Sequence, residues 1–350
     1  MIRILLPAMM GLCLLPMLPM ASAQPTEGPE YVERWTFDPE TGQWLEMARP
    51  EPGTEDGDLD LARQALARED YTAAREQTEA WIETYGGAAD RYPEALYVSA
   101  TALLGLGDYR AAYDAYSALL NDFPGSVFAE RAVAAQFRIG EQYLDGQRRK
   151  AWRGLLRVRD YDKGLEIMDD IVANHGGTDL AELALKTKAD YYYRKGEFEL
   201  AEDEYARLAR DYPQSRYEPY ALLQGAQSAM ASFPGVNFDD AGLVEAEERF
   251  VQFRDRYPAL AEAKQVPVIL EQIRATRAQK EFVTAEYYIR TKQKRAAAYY
   301  FRSTIQHWPG TTWAAQAEAR LVAMGLWEPA ADEPTAATEL PARVAMAGSE

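Results

Sequence analysis

Few side chains in this sequence could do chemistry, and none is well placed for it. His175 and His307 are the only histidines, each at the end of a helical pattern, where imidazoles ordinarily pack or cap rather than move protons. A nucleophilic triad needs one of them beside a poised serine, and the chain contains no G-x-S-x-G elbow. Walker A loops, G-x-G-x-x-G turns and metal-spaced cysteine or histidine clusters are missing from the sequence as well. With 55 Asp and Glu residues, any chosen carboxylate pair is a coincidence. The expectation is a non-enzyme with no catalytic residue, no cofactor and no metal site.

Charge is the more informative chemistry. The formal net charge is −17, which disfavours nucleic acid as a partner. Half of it sits at one end: Gln24 to Asp60 carry eleven carboxylates against Arg34 and Arg49, a net of −9, and so few apolar groups accompany them that a mobile arm is expected. Two basic islands oppose this background. The first holds Arg148, Arg149, Lys150, Arg153, Arg157, Arg159 and Lys163 against Asp160 and Asp162. It reads as an inserted helix with Trp152, Leu155 and Leu156 on one face. Either that face packs on the rest of the chain, or Arg149, Trp152, Arg153 and Arg157 dock it on anionic headgroups or an acidic partner. The second island is Arg274, Arg277, Lys280, Arg290, Lys292, Lys294 and Arg295.

The elements that position these groups are amphipathic helices. In the stretch from Arg194 to Tyr217, Phe198, Ala201, Tyr205, Leu208 and Ala209 form one stripe at helical spacing, with the charged residues elsewhere around the cylinder. Gly196 supplies the loose backbone before it, and Pro213 ends it. Ser215 is placed to cap the next helix, with Pro219 in its first turn.

That unit recurs. A small residue is followed twelve positions later by Pro or Gly in six places, at Ala74, Ala112, Gly164, Ala201, Ala246 and Ala297. Three residues before each anchor stand Tyr71, Tyr109, Tyr161, Phe198, Leu243 and Lys294. Directly before the Pro or Gly come Tyr85, Phe123, His175, Tyr212, Tyr257 and Trp308. A small residue in mid-helix lets a partner helix approach closely, and rings at either end fill the wedge where the pair splays. Anchor steps of 38, 52, 37, 45 and 51 residues exceed the tetratricopeptide step of about 34, so longer helices and insertions are expected. Partner helices are predicted over 93–106, 128–144, 179–194, 219–231 and 266–291.

The two ends read differently. Residues 1–23 combine Arg3, a run from Ile4 to Met20 without charge, and Ala21-Ser22-Ala23, the pattern of an export signal cleaved after Ala23. Cys13 is the only cysteine. Leu12 precedes it where a lipoprotein signal needs a small residue, so a lipid anchor is not expected. Trp35, Phe37 and Trp44 flank a Pro/Gly turn and suggest a small β-hairpin. It either docks on the repeats or captures a glycan or peptide. The segment after Trp327 is Ala/Pro-rich and reads as a disordered tail.

Two stretches carry a family resemblance. Ser228 to Pro258, with Phe233, Gly235, Val236 and Asp239 in a loop between repeats, resembles the BamD family of outer-membrane protein assembly factors. Glu281 to Pro309, with Ala285-Glu286-Tyr287-Tyr288, is similar to that family's Ala-Glu-Tyr-Tyr helix and the repeat after it. The resemblance implies a periplasmic scaffold at the inner face of the outer membrane. Its C-terminal repeats would hold a BamA-like outer-membrane protein through Arg274, Arg277, Glu286, Tyr287 and Tyr288, with Phe233 and Asp239 marking the loop. Its N-terminal repeats, built on Tyr71 and Tyr109, would receive unfolded outer-membrane protein clients. The basic insertion, the hairpin at Trp35 and the missing lipobox depart from that family. Any membrane contact would be peripheral.

The expected fold is all-α: a tetratricopeptide-like right-handed superhelical array of about six helix pairs with a small N-terminal β-hairpin. The expected organisation is a signal peptide (1–23), an acidic arm with the hairpin (24–57), N-terminal repeats (58–146), a basic insertion (147–160), C-terminal repeats (161–327) and a tail (328–350). Two other functions fit these features: a periplasmic tetratricopeptide adaptor of the envelope-division machinery, and a glycan- or peptidoglycan-binding module using Trp35 and Trp44.

Overall fold

A computed structural model describes residues 35–38, 42–46, 51–151 and 156–326. The expected signal peptide, the tail, Trp152 and Arg153 lie outside the described residues. Those described are overwhelmingly helical and form two units, Met1–Ala132 and Val133–Glu350, with the division falling inside one helix.

In the first unit, β1 (Trp35–Asp38) pairs antiparallel with β2 (Gln43–Glu46). After it come α1 (Glu55–Ala67), α2 (Tyr71–Tyr85), α3 (Tyr92–Gly105), α4 (Tyr109–Asp122) and the start of α5 (Ala129–Leu144). Helix starts are set by side-chain caps. Thr54, Asp70 and Asp108 each accept a backbone N–H from three residues on, which satisfies one of the donors a helix leaves unpaired. The first turn of α1 is Glu55, Asp56 and Asp58, so part of the acidic N-terminal charge faces a positive helix end.

The second unit contains the rest of α5, a two-stranded ribbon of β3 (Arg148–Ala151) and β4 (Leu156–Arg159), then α6 (Tyr161–Asn174), α7 (Asp179–Lys195), α8 (Phe198–Asp211), α9 (Glu218–Ala231) and α10 (Ala241–Arg256). It ends with α11 (Pro258–Ala263), the long α12 (Val266–Arg290), α13 (Lys294–His307) and α14 (Thr312–Ala323). Each predicted partner helix is present within a residue or two of its expected ends. Consecutive helices pack as hairpins: α1 on α2, α3 on α4, α7 on α8, α12 on α13.

The small anchors are what bring these helices together. Ala74, Ala112, Ala201, Ala246 and Ala297 have no exposed surface. At the remaining anchor the approach is very close. A Cβ on Gly164 of α6 would stand 2.8 Å from the Leu144 side chain and 3.0 Å from the Gly140 carbonyl of α5, and one on Gly140 would stand 2.8 Å from Met168. Two facing glycines therefore let α5 and α6 touch almost backbone to backbone.

The rings at the helix ends work as clasps. Tyr85, at the end of α2, donates to Asp58 in the first turn of α1 at 2.9 Å. Tyr257, after α10, donates to the buried Glu218 that opens α9. The Tyr212 hydroxyl, after α8, accepts from the Gly177 N–H just before α7 at 3.4 Å. Each links the end of one helix to the start of the partner before it.

Two expectations need correction. The first basic island is not a helix: Arg148↔Arg159, Arg149↔Val158, Lys150↔Arg157 and Ala151↔Leu156 pair as antiparallel strands. Gly154 in mid-segment costs about 1 kcal/mol in a helix, and a run this short is below the roughly 12 residues at which a helix becomes self-sustaining. Ser215 does not cap α9, whose cap position is Tyr217. Its hydroxyl accepts from the Tyr217 N–H at 3.0 Å and donates to Glu182 at 2.6 Å, bracing the turn instead.

Candidate protein-interaction surface

The residues expected to meet a partner fall into two groups. Arg277, on α12, bonds Glu247 at 2.5 Å and Asp240 at 3.3 Å, and its guanidinium lies 4.8 Å from the centre of the Trp308 ring. Lys280 bonds the other Asp240 oxygen at 2.8 Å. The Arg277 and Lys280 charges hold the Asp240 carboxyl below the usual carboxylate range, against the burial that would raise it. Arg274 donates to the Pro309 carbonyl at 2.7 Å. Arg274 and Arg277 therefore clasp the end of α13 to α12, the role that Asp58 and Glu218 have in earlier pairs. Glu286 is engaged by Arg320 of α14 at 2.9 Å.

The tyrosines are different. Tyr288 stacks on Tyr300 at 5.2 Å between centroids with the rings 10° apart. Tyr287 abuts Tyr288 at 5.5 Å, and Tyr299 abuts Tyr300 at 5.4 Å, both edge-on. The outer two are open to solvent, Tyr287 at 52% and Tyr299 at 67%. Arg290, Lys292, Lys294 and Arg295 are exposed around the turn joining the same two helices. The second basic island thus divides into three cations that hold the fold and four that stand exposed at the turn between the two tyrosine-bearing helices. Large amphipathic rings carrying hydroxyls, already fixed by stacking, are favourable protein-contact groups because little side-chain freedom is left to lose on binding.

Tyr299 and Tyr300 escaped the sequence reading as contact residues. The available signal was the second Tyr-Tyr pair, twelve positions after Tyr287-Tyr288. In the 233–239 loop, Phe233 packs against the α9–α10–α12 core, Asp239 accepts the Ala241 N–H at 2.7 Å, and Phe238 is 60% exposed. In the N-terminal repeats the Tyr71 ring lies against Gly105, where a Cβ would come within 2.3 Å of it.

Of the groups expected at the first basic island, Arg149 lies in β3 and Arg157 in β4. The strand register sets Arg149 opposite Val158 and Arg157 opposite Lys150. Among the described residues, no group of three or more His, Cys, Asp or Glu is arranged to hold a metal ion, and no helix is long and apolar enough to cross a membrane.

A family model described as an outer membrane lipoprotein, YfiO, matches residues 154–328, half of the chain. The chain belongs to the YfiO family. This is the BamD family that the two quoted stretches resemble, and the match takes in α6 to α14, the tyrosine patch included. A tetratricopeptide repeat model matches residues 94–126, across α3 and α4. Together the two matches mark the chain as a protein-interaction scaffold of the outer-membrane-associated envelope.

Solved structures similar to this chain include part of a tetratricopeptide repeat-containing protein from Cytophaga hutchinsonii, at 13% identity over 76% of this chain and 88% of that one, with a TM-score of 0.38. A tetratricopeptide repeat protein from Parabacteroides merdae is 12% identical over 75% of this chain and 96% of that one, with a TM-score of 0.33. MamA from Desulfovibrio magneticus is 17% identical over 57% and 93%, with a TM-score of 0.31. No curated protein matches the chain.

Proposed function

We infer that this YfiO-family chain is a non-catalytic periplasmic scaffold in outer-membrane β-barrel assembly, gripping a BamA-like partner through α12 and α13 and receiving client segments on its N-terminal repeats. The observation that carries the reading is the tyrosine patch. Four rings pack into one cluster, one pair stacked and two edge-on, two of them lie more than half open to water, and four exposed cations flank the turn that joins the same two helices. A partner domain with an apolar spot rimmed by carboxylates matches that surface in shape and sign. Arg274, Arg277 and Glu286 act behind it, holding α12, α13 and α14 in the arrangement that presents the rings.

The test is capture from a detergent-solubilised envelope extract using the mature chain and its Tyr287→Ala/Tyr299→Ala variant. Wild type should retain a BamA-like barrel protein, and the variant should lose it by tenfold or more (about 1.4 kcal/mol per decade) with an unaltered circular dichroism melt. Retention of division-machinery proteins alone would overturn the assignment.

A further inference from the structure

The tyrosine patch is too small to hold a partner by itself. A stable interface takes roughly 800 Å² from each side. An aromatic side chain covers about 200 Å², so Tyr287 at 52% open and Tyr299 at 67% open supply roughly a third of that area. The remainder has to come from the surface beside the rings.

Contacts next to each exposed ring lead to one place, the end of α14. Glu286, adjacent to Tyr287, is held by Arg320 of α14 at 2.9 Å. Arg302, one turn beyond Tyr299 on α13, donates to the Leu326 carbonyl at 3.0 Å. Leu326 is itself fixed: Gly325 adopts a φ of 66°, and the Leu326 N–H returns to the Leu321 carbonyl at 3.0 Å, which closes the helix end. Even so, Leu326 is 41% exposed and Val322 55%. Further along α14, Ala319 and Ala315 are exposed as well. Ala315, Ala319 and Val322 stand four and three residues apart and so share one side of the helix, across from Ala317 and Leu321, which are buried in the core that α14 forms with α12 and α13. An uncharged strip thus runs on from the two open rings.

We propose that the partner seated on the tyrosines continues onto this side of α14 and lays an amphipathic helix along it. The proposal rests on the reading of α12 and α13 as the partner site and adds the element that the partner presents. The backbone groups of α14 are spent within its own turns, so a strand laid there would find no main-chain bonds for its N–H and C=O groups. A helix brings its bonds with it. Ala315 and Ala319 let its axis come close, as the small anchors do between repeats, and Val322 and Leu326 give its apolar stripe something to cover beside the rings.

The experiment uses the full mature chain on detergent-solubilised envelope extract, with three variants: Tyr287→Ala/Tyr299→Ala, Val322→Gln/Leu326→Gln and Val322→Ile/Leu326→Met. The Gln pair leaves the charge that steers association untouched. It should weaken retention of the BamA-like partner by about tenfold, while the apolar pair stays within about twofold of wild type, with matching circular dichroism melts in all. Loss in the tyrosine variant with full retention in the Gln variant would remove the extension onto α14 and leave the tyrosine site standing. If the unaltered chain retains no such partner, the site falls and takes the extension with it. A photo-crosslinking amino acid placed at Ala315, Ala319 or Val322 then identifies the element: the partner residues it captures should lie three, four or seven apart in one segment. A spacing of two would mark a strand. Crosslinks to the chain's own residues 327–350 or to a second copy would put a different occupant on α14. Either result would overturn the proposal.

Discussion

At the level of single residues, the clearest division of labour is at Tyr205. Its ring is 1% exposed in the centre of the α7–α8–α9 stack, and its hydroxyl donates to Asp190 at 2.5 Å. Asp190 also accepts from Tyr220 at 2.8 Å and pairs with Lys186 at 2.7 Å. Burial and the Asp190 carboxylate together push the Tyr205 phenol far above its usual range, so it stays neutral and donating. Tyr205→Ala should cost about 3–5 kcal/mol, the ordinary penalty for emptying a large aromatic site. Tyr205→Phe should cost about 1 kcal/mol, because Asp190 keeps its other partners. Urea denaturation of both variants checks this; equal losses would assign the stabilisation to the hydroxyl. Much of this scale was legible in the sequence. The small anchors and the rings at helix ends announce themselves through their fixed spacing, and all six anchors are buried. What spacing could not reveal is which charges the fold consumes. Arg277 and Arg295 look alike in the sequence, yet one lies over Trp308 between two carboxylates and the other is exposed.

At the level of elements, α8 and α10 meet through a buried carboxyl and an arginine. Glu202 is 7% exposed, and Arg249 bridges it at 2.6 Å to Glu245 at 2.7 Å. Burial, with the neighbouring Glu245 carboxylate, raises the Glu202 carboxyl from 4.5 to about 7, despite the opposing pull of Arg249. The hydrogen bond from Glu202 holds Glu245 below its usual range. A carboxyl whose folded pKa is raised stabilises the fold fully below its unfolded value and loses that contribution as pH rises through its folded one. Stability of the second unit should therefore fall between about pH 5 and pH 8. Glu202→Gln, which stays neutral and can still donate to Glu245, should flatten that slope in thermal melts. A slope unchanged in the variant would place the titration elsewhere. The α10 and α13 helices were readable because their small anchors and closing rings keep the spacing of the repeat, and α9 and α12 as the helical segments between such units. The β3–β4 ribbon was not, since Trp152, Leu155 and Leu156 stand at the i, i+3, i+4 spacing of a helical stripe.

At the level of the whole molecule, sign is distributed unevenly over a strongly acidic chain. The four cations at the α12–α13 turn are exposed and therefore act at a distance. Raising salt from about 0.1 M to about 1 M shortens the screening length from about 10 Å to about 3 Å. Association with the BamA-like partner should slow several-fold over that range, while dissociation, set by the buried rings, should hold nearly constant. Surface plasmon resonance separates the two rates; a salt effect confined to dissociation would relocate the cations into the interface itself. The repeat architecture was legible from end to end because the same anchor recurs six times. The family was legible mainly in the second half, where the loop at Phe233 and the Ala-Glu-Tyr-Tyr stretch depart from a generic repeat.

The ring-to-helix clasps have a mechanical corollary. Every such link reaches back only to the immediately preceding partner, so resistance to force is divided into short, separate stitches. A chain tugged from its C-terminal end would first lose the hold of Arg302 on the Leu326 carbonyl and of Arg320 on Glu286, then part where Arg274 and Arg277 hold Pro309 and Trp308.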